Sequence, residues 1–126
     1  MNSLWTAIVC PDARIDALRK ELLRGAESLV SAAASAAPPA EVARLTQALL
    51  EIARAQFAAE EQRLGAARSL TLVRHAHEHQ RFLADLQALA ATAARGNAAA
   101  LRALRPERWI PDWLAAHAGT DQDLAA

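Results

Sequence analysis

The stretch LVRHAHEHQRFLADLQAL, residues 72–89, has the residue spacing of a helix that buries one face. Its apolar residues recur every three or four positions, which is typical of an amphipathic helix packed against a core. Two histidines, His75 and His79, belong to this apolar stripe and lie one turn apart. His77 falls between them on another face, where we expect it to be solvated. The stretch therefore predicts a helix that directs two imidazoles toward the interior of the protein.

The rest of the chain is also predicted to be helical. Alanine accounts for 34 of the 126 residues and tyrosine is absent, a composition that favours helix. Prolines and glycines at 38–39, 65 and 96 interrupt the apolar stripes and separate the helices. We predict helices over 11–33, 39–64, 70–95, 97–104 and from near Pro111 to Gly119. The short connections favour an all-α, antiparallel up-down-up-down four-helix bundle with left-handed crossings of about 20°, formed by a single domain, 1–126.

Charge and composition exclude several classes of partner. The formal net charge is zero, so no basic surface indicates nucleic acid or anionic lipid. No apolar run reaches the roughly 20 residues of a membrane span. The N-terminal residues MNSLWTAIVC lack the basic region of a signal peptide, and the single cysteine, Cys10, cannot form an internal disulfide. We therefore expect a cytoplasmic protein. The physiological protein partner and the oligomeric state are left open.

Spacings of three and four predict the apolar stripes of the first two helices. The first stripe is Ile15, Arg19, Leu22, Ala26 and Leu29, and the second is Val42, Leu45, Leu49, Ile52, Gln56, Glu60 and Leu64. Each of the four main predicted helices places polar residues on its stripe, namely Arg19, Gln56, Glu60, His75, His79, His117 and Asp121. One inward histidine usually forms a hydrogen bond in a core, but several buried ionisable groups without partners would cost several kcal/mol. Their convergence inside a bundle would form a metal site with the ligands His75, His79, His117, Glu60 and Asp121. Imidazole and carboxylate ligands without a thiolate suit iron, manganese or zinc.

Four motifs, in order along the chain, resemble those of the hemerythrins. HAHEHQRF matches the family pattern H-x-x-x-H-x-x-F, and QFAAEE is similar to H-F-x-x-E-E. DWLAAHAGTD resembles W-L-x-x-H-I followed by an aspartate, and IDALRKEL is similar to I-D-x-Q-H-x-x-L. Trp5 would be the tryptophan of the N-terminal arm. The resemblance thus covers nearly the whole chain and implies a four-helix bundle.

The resemblance also implies two irons, one of which binds dioxygen reversibly. It assigns His75, His79 and His117 to one iron, with Glu60 and Asp121 as bridging carboxylates. Asp121 follows His117 by four residues where the family has five, so Asp123 is an alternative ligand. Both histidines of the other, dioxygen-binding iron are replaced, by Arg19 and Gln56. The second site therefore departs from the family pattern.

These departures favour one metal ion, with iron expected, over two. The role would be iron or oxygen handling or sensing, since Fe(II) could keep an open position. A metal-free structural or interaction module and a two-iron oxygen-binding protein are the alternatives. No nucleophile beside a base indicates an enzyme. We expect Gln56 to hydrogen-bond Glu60, and Arg19 either to pair with Glu60 or Asp121 or to extend along its stem to the surface.

Overall fold

Every regular element of the described chain is a helix. The structure is a computed structural model that describes residues 12–120, with side chains through His117. Its helices are α1 (Ala13–Ala34), α2 (Pro39–Ala66), α3 (Leu72–Ala94), α4 (Ala98–Ala103) and α5 (Pro106–Thr120). Residues 12–120 contain no strand, so the all-α prediction is confirmed for them. None of these helices is long and apolar enough to cross a membrane.

Capping residues explain where the helices begin and end. Asp12 caps α1, because its Oδ1 accepts hydrogen bonds from the backbone N–H groups of Arg14 and Ile15 at 2.9 and 3.1 Å. Asn97 caps α4 through its side-chain oxygen. Gly96 follows α3 with a φ of +75°, a conformation that glycine adopts without steric strain. Apart from the start of α5, each predicted boundary lies within two residues of the one found.

The predicted start of the last helix near Pro111 is wrong, because α5 begins at Pro106. A proline at the first position of a helix costs no hydrogen bond, because the backbone N–H at that position has no acceptor within the helix. Pro111 lies inside α5, where its missing N–H leaves the carbonyl of Glu107 without the usual donor. Ile110 and Leu114 on either side of it are buried. Their burial against the core favours a helix that continues through the proline.

Contacts between helices are consistent with a bundle. α2 packs against both α1 and α3, α1 also packs against α5, and α3 contacts α4. Residues 35–38 connect α1 to α2, and residues 67–71 connect α2 to α3. Connections this short bring consecutive helices side by side. The antiparallel up-down order and the handedness of the crossings stay predictions.

The predicted apolar stripes are largely the buried faces. In α1 the buried residues coincide with the predicted stripe: Ile15, Arg19, Leu22, Ala26 and Leu29. In α3 the buried residues include His75, His79 and Phe82. Leu45 and Ile52 of α2 were also predicted to be inward, and they are only partly buried. The stripe of α2 is wider than predicted, because Thr46, Leu50 and Phe57 are buried as well.

The core contains two apolar clusters and a set of buried polar residues. The larger cluster includes Leu22, Leu49 and Phe82. The smaller contains Ile15, Ala59 and Leu64. Apart from Thr46, the buried polar and charged residues of the described chain are Arg19, Gln56, Glu60, His75, His79 and His117. We call these six residues the polar layer.

Candidate metal centre

Three histidines and a glutamate of the polar layer come together at one point. Glu60 and His75 are 0% exposed, His79 is 1% exposed and His117 is 5% exposed. One potential ligand atom from each of the four lies within 4.8 Å of the other three. They come from α2, α3 and α5, as the sequence predicted. The described chain therefore contains a buried group that could hold a metal ion.

One oxygen of Glu60 is the point on which two imidazoles converge. Oε1 of Glu60 lies 3.2 Å from Nε2 of His79 and 3.2 Å from Nε2 of His117. Two ligands at about 2.1 Å from one ion are about 3.0 Å apart at a right angle and about 3.4 Å apart at a tetrahedral angle. The observed separations fall between these values. The spacing thus matches neighbouring ligands of a single ion.

Stacked aromatic rings hold two of the imidazoles in place. The ring of Phe57 is stacked on His79, with centroids 4.0 Å apart and an interplanar angle of 2°. The indole of Trp113 is stacked on His117, with centroids 4.6 Å apart and an angle of 14°. Such close packing restricts rotation of both rings. The plane of each ring is therefore set before any ion binds.

A second glutamate contacts the outer edge of His79. Nδ1 of His79 lies 2.9 Å from Oε2 of Glu61. The sequence analysis did not single out Glu61, although it adjoins Glu60 in QFAAEE. Successive helical residues point about 100° apart, so Glu61 does not share the inward direction of Glu60. The sequence showed only that Glu61 adjoins Glu60, which is on the predicted stripe. The contact of Glu61 with His79 depends on the packing of α2 against α3.

The contacts of His79 indicate where its proton lies. An ionised carboxylate only accepts hydrogen bonds, so Nδ1 of a neutral His79 carries the hydrogen that Glu61 accepts. Nε2 then presents a lone pair, and it makes no hydrogen bond to a described residue although Oε1 of Glu60 is 3.2 Å away. A lone pair and a carboxylate oxygen at this distance repel each other. A cation between them would remove the repulsion, so this donor set fits a metal ion.

Glu60 is ionised in its buried position. Burial raises the pKa of its carboxyl, but His117 and His79, in the protonated forms that they can adopt without an ion, supply hydrogen bonds and positive charge that outweigh burial and lower the pKa to about 2. The group is therefore a carboxylate near neutral pH. A buried negative charge among imidazoles attracts either a proton or a metal cation.

The other oxygen of Glu60 is held by Gln56. The side-chain amide nitrogen of Gln56 donates a hydrogen bond to Oε2 of Glu60 one turn later in α2, as predicted. Gln56 is 1% exposed, and its Oε1 has no hydrogen-bond partner among the described residues. The two oxygens of Glu60 thus face different surroundings. Oε1 faces imidazole nitrogens, and Oε2 faces an amide donor.

Arg19 is inside the protein but does not pair with Glu60. It is 9% exposed, so the alternative of a side chain extended to the surface is wrong. Its Nη1 lies 3.7 Å from Oδ1 of Asp16, one turn earlier in α1. The expected ion pair with Glu60 is absent, because Gln56 and the histidines occupy both oxygens of that carboxylate. The alternative partner, Asp121, lies outside the described residues, as do Trp5, Cys10 and Asp123.

Fold and site together define an all-α protein with a buried group of three histidines and one glutamate that could bind a metal ion. No family model, no curated protein and no solved structure matches this chain. The likeness to hemerythrins rests on the motifs quoted above.

Proposed function

We propose that this protein is a hemerythrin-like metal-binding protein that holds one ion in an antiparallel up-down four-helix bundle. The ligands are His75, His79, His117 and Glu60, and iron is the expected metal. The observation that carries the proposal is the convergence of four buried ligand atoms within 4.8 Å. Asp121 or Asp123 would complete the site as a further carboxylate.

The charges of the site favour a cation. Glu60 is an ionised carboxylate inside the protein, and an isolated buried charge costs several kcal/mol. Neutral imidazoles are good ligands for iron, zinc and manganese, and a carboxylate adds the negative charge that a divalent ion requires. When bound, iron would supply an electrophilic centre to which a small ligand such as dioxygen could bind. The protein would then act in iron or oxygen handling or sensing.

The surroundings of Oε2 of Glu60 favour one ion over two. In a paired site this oxygen would bind the second ion, but here it accepts a hydrogen bond from Gln56. Arg19 is buried in the same layer and carries a positive charge at every physiological pH. An amide donor and a guanidinium group both oppose a second cation. We therefore propose a mononuclear site.

A metal-free bundle is the second candidate, and one contact favours it. Nε2 of His117 lies within hydrogen-bonding distance of Oε1 of Glu60, at 3.2 Å. A protonated His117 would satisfy the buried carboxylate without any ion. The polar layer would then specify how the helices pack, and the protein would be a structural or interaction module.

Metal analysis of purified protein distinguishes these candidates. The protein is loaded anaerobically with Fe(II), freed of excess metal by gel filtration, and measured by mass spectrometry of the elements. We expect one iron per chain in the parent. His79→Ala should lose the ion, because it removes a ligand from the centre.

His77→Ala is the matched control. It removes a histidine from the same helix at an exposed position, so its iron content should equal that of the parent. A parent protein without iron, or full retention by His79→Ala, would contradict the proposed site. Parallel loading with Zn(II) and Mn(II) tests whether iron is preferred.

A further inference from the structure

Glu61 joins the buried centre to the protein surface. Its Oε2 lies 2.9 Å from Nδ1 of His79, whose own side chain is 1% exposed, whereas the side chain of Glu61 is 36% exposed. Glu61 also lines a shallow surface depression together with Val73, His77 and Gln80. The carboxylate therefore contacts a proposed ligand from outside and is too far around the helix to act as a ligand itself.

A hydrogen bond at this edge determines which nitrogen of His79 can bind a metal. A neutral imidazole carries its proton on either Nδ1 or Nε2. A carboxylate at Nδ1 stabilises the form with the proton on Nδ1, and this form leaves the lone pair on Nε2, which points at Glu60. Carboxylates placed in this way also raise the basicity of the coordinated nitrogen.

The glutamate beside His117 is farther away. Oε2 of Glu78 lies 4.0 Å from Nδ1 of His117, which is too long for a hydrogen bond. Stacking on Trp113 orients this ring, but stacking does not distinguish the two nitrogens. At His79, by contrast, Oε2 of Glu61 is within hydrogen-bonding distance of Nδ1.

We propose that Glu61 is a positioning residue of the metal centre. It acts through His79: it keeps the proton on Nδ1, directs the Nε2 lone pair inward and strengthens metal binding. The inference rests on the proposed function, because it assigns Glu61 a role in that same site.

Two substitutions separate this role from a general effect on folding. Glu61→Ala removes the acceptor, and Glu61→Gln restores one, because its amide oxygen can accept from Nδ1–H. Affinity for Zn(II) is measured by competition with a chromophoric chelator. We expect Glu61→Ala to weaken binding about 10–100-fold, the range for loss of an outer partner of a ligand, and Glu61→Gln to recover most of it. Glu51→Ala is the control, since Glu51 is an exposed glutamate of the same helix.

A second measurement does not need the metal. Nitrogen-15 NMR of the metal-free protein reports which imidazole nitrogen is protonated. Spectra recorded at a pH where His79 is neutral should place its proton on Nδ1 in the parent, in Glu61→Gln and in Glu51→Ala, and should show a shift toward Nε2 in Glu61→Ala.

The two readouts distinguish failure of this inference from failure of the proposed function. A parent that binds no Zn(II), Fe(II) or Mn(II) would contradict the metal site, while the NMR result would still decide whether Glu61 controls His79. A parent that binds Zn(II), with Glu61→Ala equal to it in affinity and in proton position, would overturn the role of Glu61.

Discussion

The two halves of the polar layer that surround Glu60 differ in the chemistry of their side chains. Helices α3 and α5 contribute His75, His79 and His117, whose nitrogens can present lone pairs to a cation. Helices α1 and α2 contribute Arg19 and Gln56, which present N–H donors. One half can therefore bind a metal, and the other half satisfies a carboxylate without one.

The difference shows how a buried carboxylate can be partnered in two ways at once. Oε1 of Glu60 lies 3.2 Å from each of two imidazoles, where a cation would neutralise its charge. Oε2 receives the amide hydrogen bond of Gln56, which needs no ion. Arg19 is buried in the polar layer as well, and its positive charge opposes the binding of a second cation there. The asymmetry predicts one ion, and each of the following experiments tests a part of it.

Glu60→Gln should have the largest effect, because the two oxygens of Glu60 face side chains of both halves. An amide retains the size of the side chain but cannot neutralise a cation. We expect the variant to lose its ion on gel filtration and to bind Zn(II) more than about 100-fold less tightly, beyond the usual loss for an outer partner of a ligand. Glu51→Gln, at an exposed position of the same helix, should bind like the parent. Retention of one ion by Glu60→Gln would mean that the three histidines bind the metal without a carboxylate from Glu60.

Replacing the N–H donors Arg19 and Gln56 by histidines should raise the number of metal ions bound per chain. In the double variant Arg19→His and Gln56→His, the hydrogen bond at Oε2 and the guanidinium charge are both removed. After anaerobic loading we expect two irons per chain, with the near-ultraviolet and visible absorption of an oxo-bridged pair after exposure to air. Arg19→His alone should bind less than the double variant. A folded double variant with the iron content of the parent would show that these two residues do not close the second site.

Leu86→Ala should affect stability without affecting metal content. Leu86 is 0% exposed and belongs to the larger apolar cluster, and removing a buried leucine side chain costs about 3 kcal/mol of unfolding free energy. Urea unfolding of the metal-free protein measures the loss. Metal content at 20 °C, where the variant is expected to remain folded, should equal that of the parent. Loss of metal from the folded variant would mean that the apolar cluster also determines ligand positions.

Acid should lower the free energy of unfolding of the metal-free protein by protonating Glu60. We expect this to be the smallest of the four effects described in this section. The folded-state pKa of Glu60 is lowered from 4.5 to about 2, so the ionised group contributes stability above pH 4.5. This contribution falls as the pH drops from 4.5 toward 2, by an amount on the order of a few kcal/mol or less. Urea unfolding of the parent and of Glu60→Gln at pH 7, 5 and 3 should show their difference shrinking. A constant difference would contradict an ionised, stabilised Glu60.

Periodicity along the chain was sufficient for most of the fold. The stripe of α1, including Arg19, was predicted residue by residue, because the face that a helix buries follows from spacings of three and four. The same spacing identified His75 and His79 as inward. It failed at the start of α5, which was predicted near Pro111 and lies at Pro106, because the burial of Ile110 and Leu114 outweighed one missing hydrogen bond.

The sequence by itself determined which side chains are inward and which chemistry they carry: imidazoles on α3 and α5, a carboxylate and an amide on α2, and a guanidinium on α1. Only the tertiary structure decided which of them meet. His117 and Glu60 are 57 residues apart in the chain, yet Nε2 of one lies 3.2 Å from Oε1 of the other. Arg19 contacts Asp16 and not Glu60, and Glu61 reaches His79. Helical period is a local property of the backbone, whereas the axial register and rotation of one helix against another depend on how side chains of separate helices interlock.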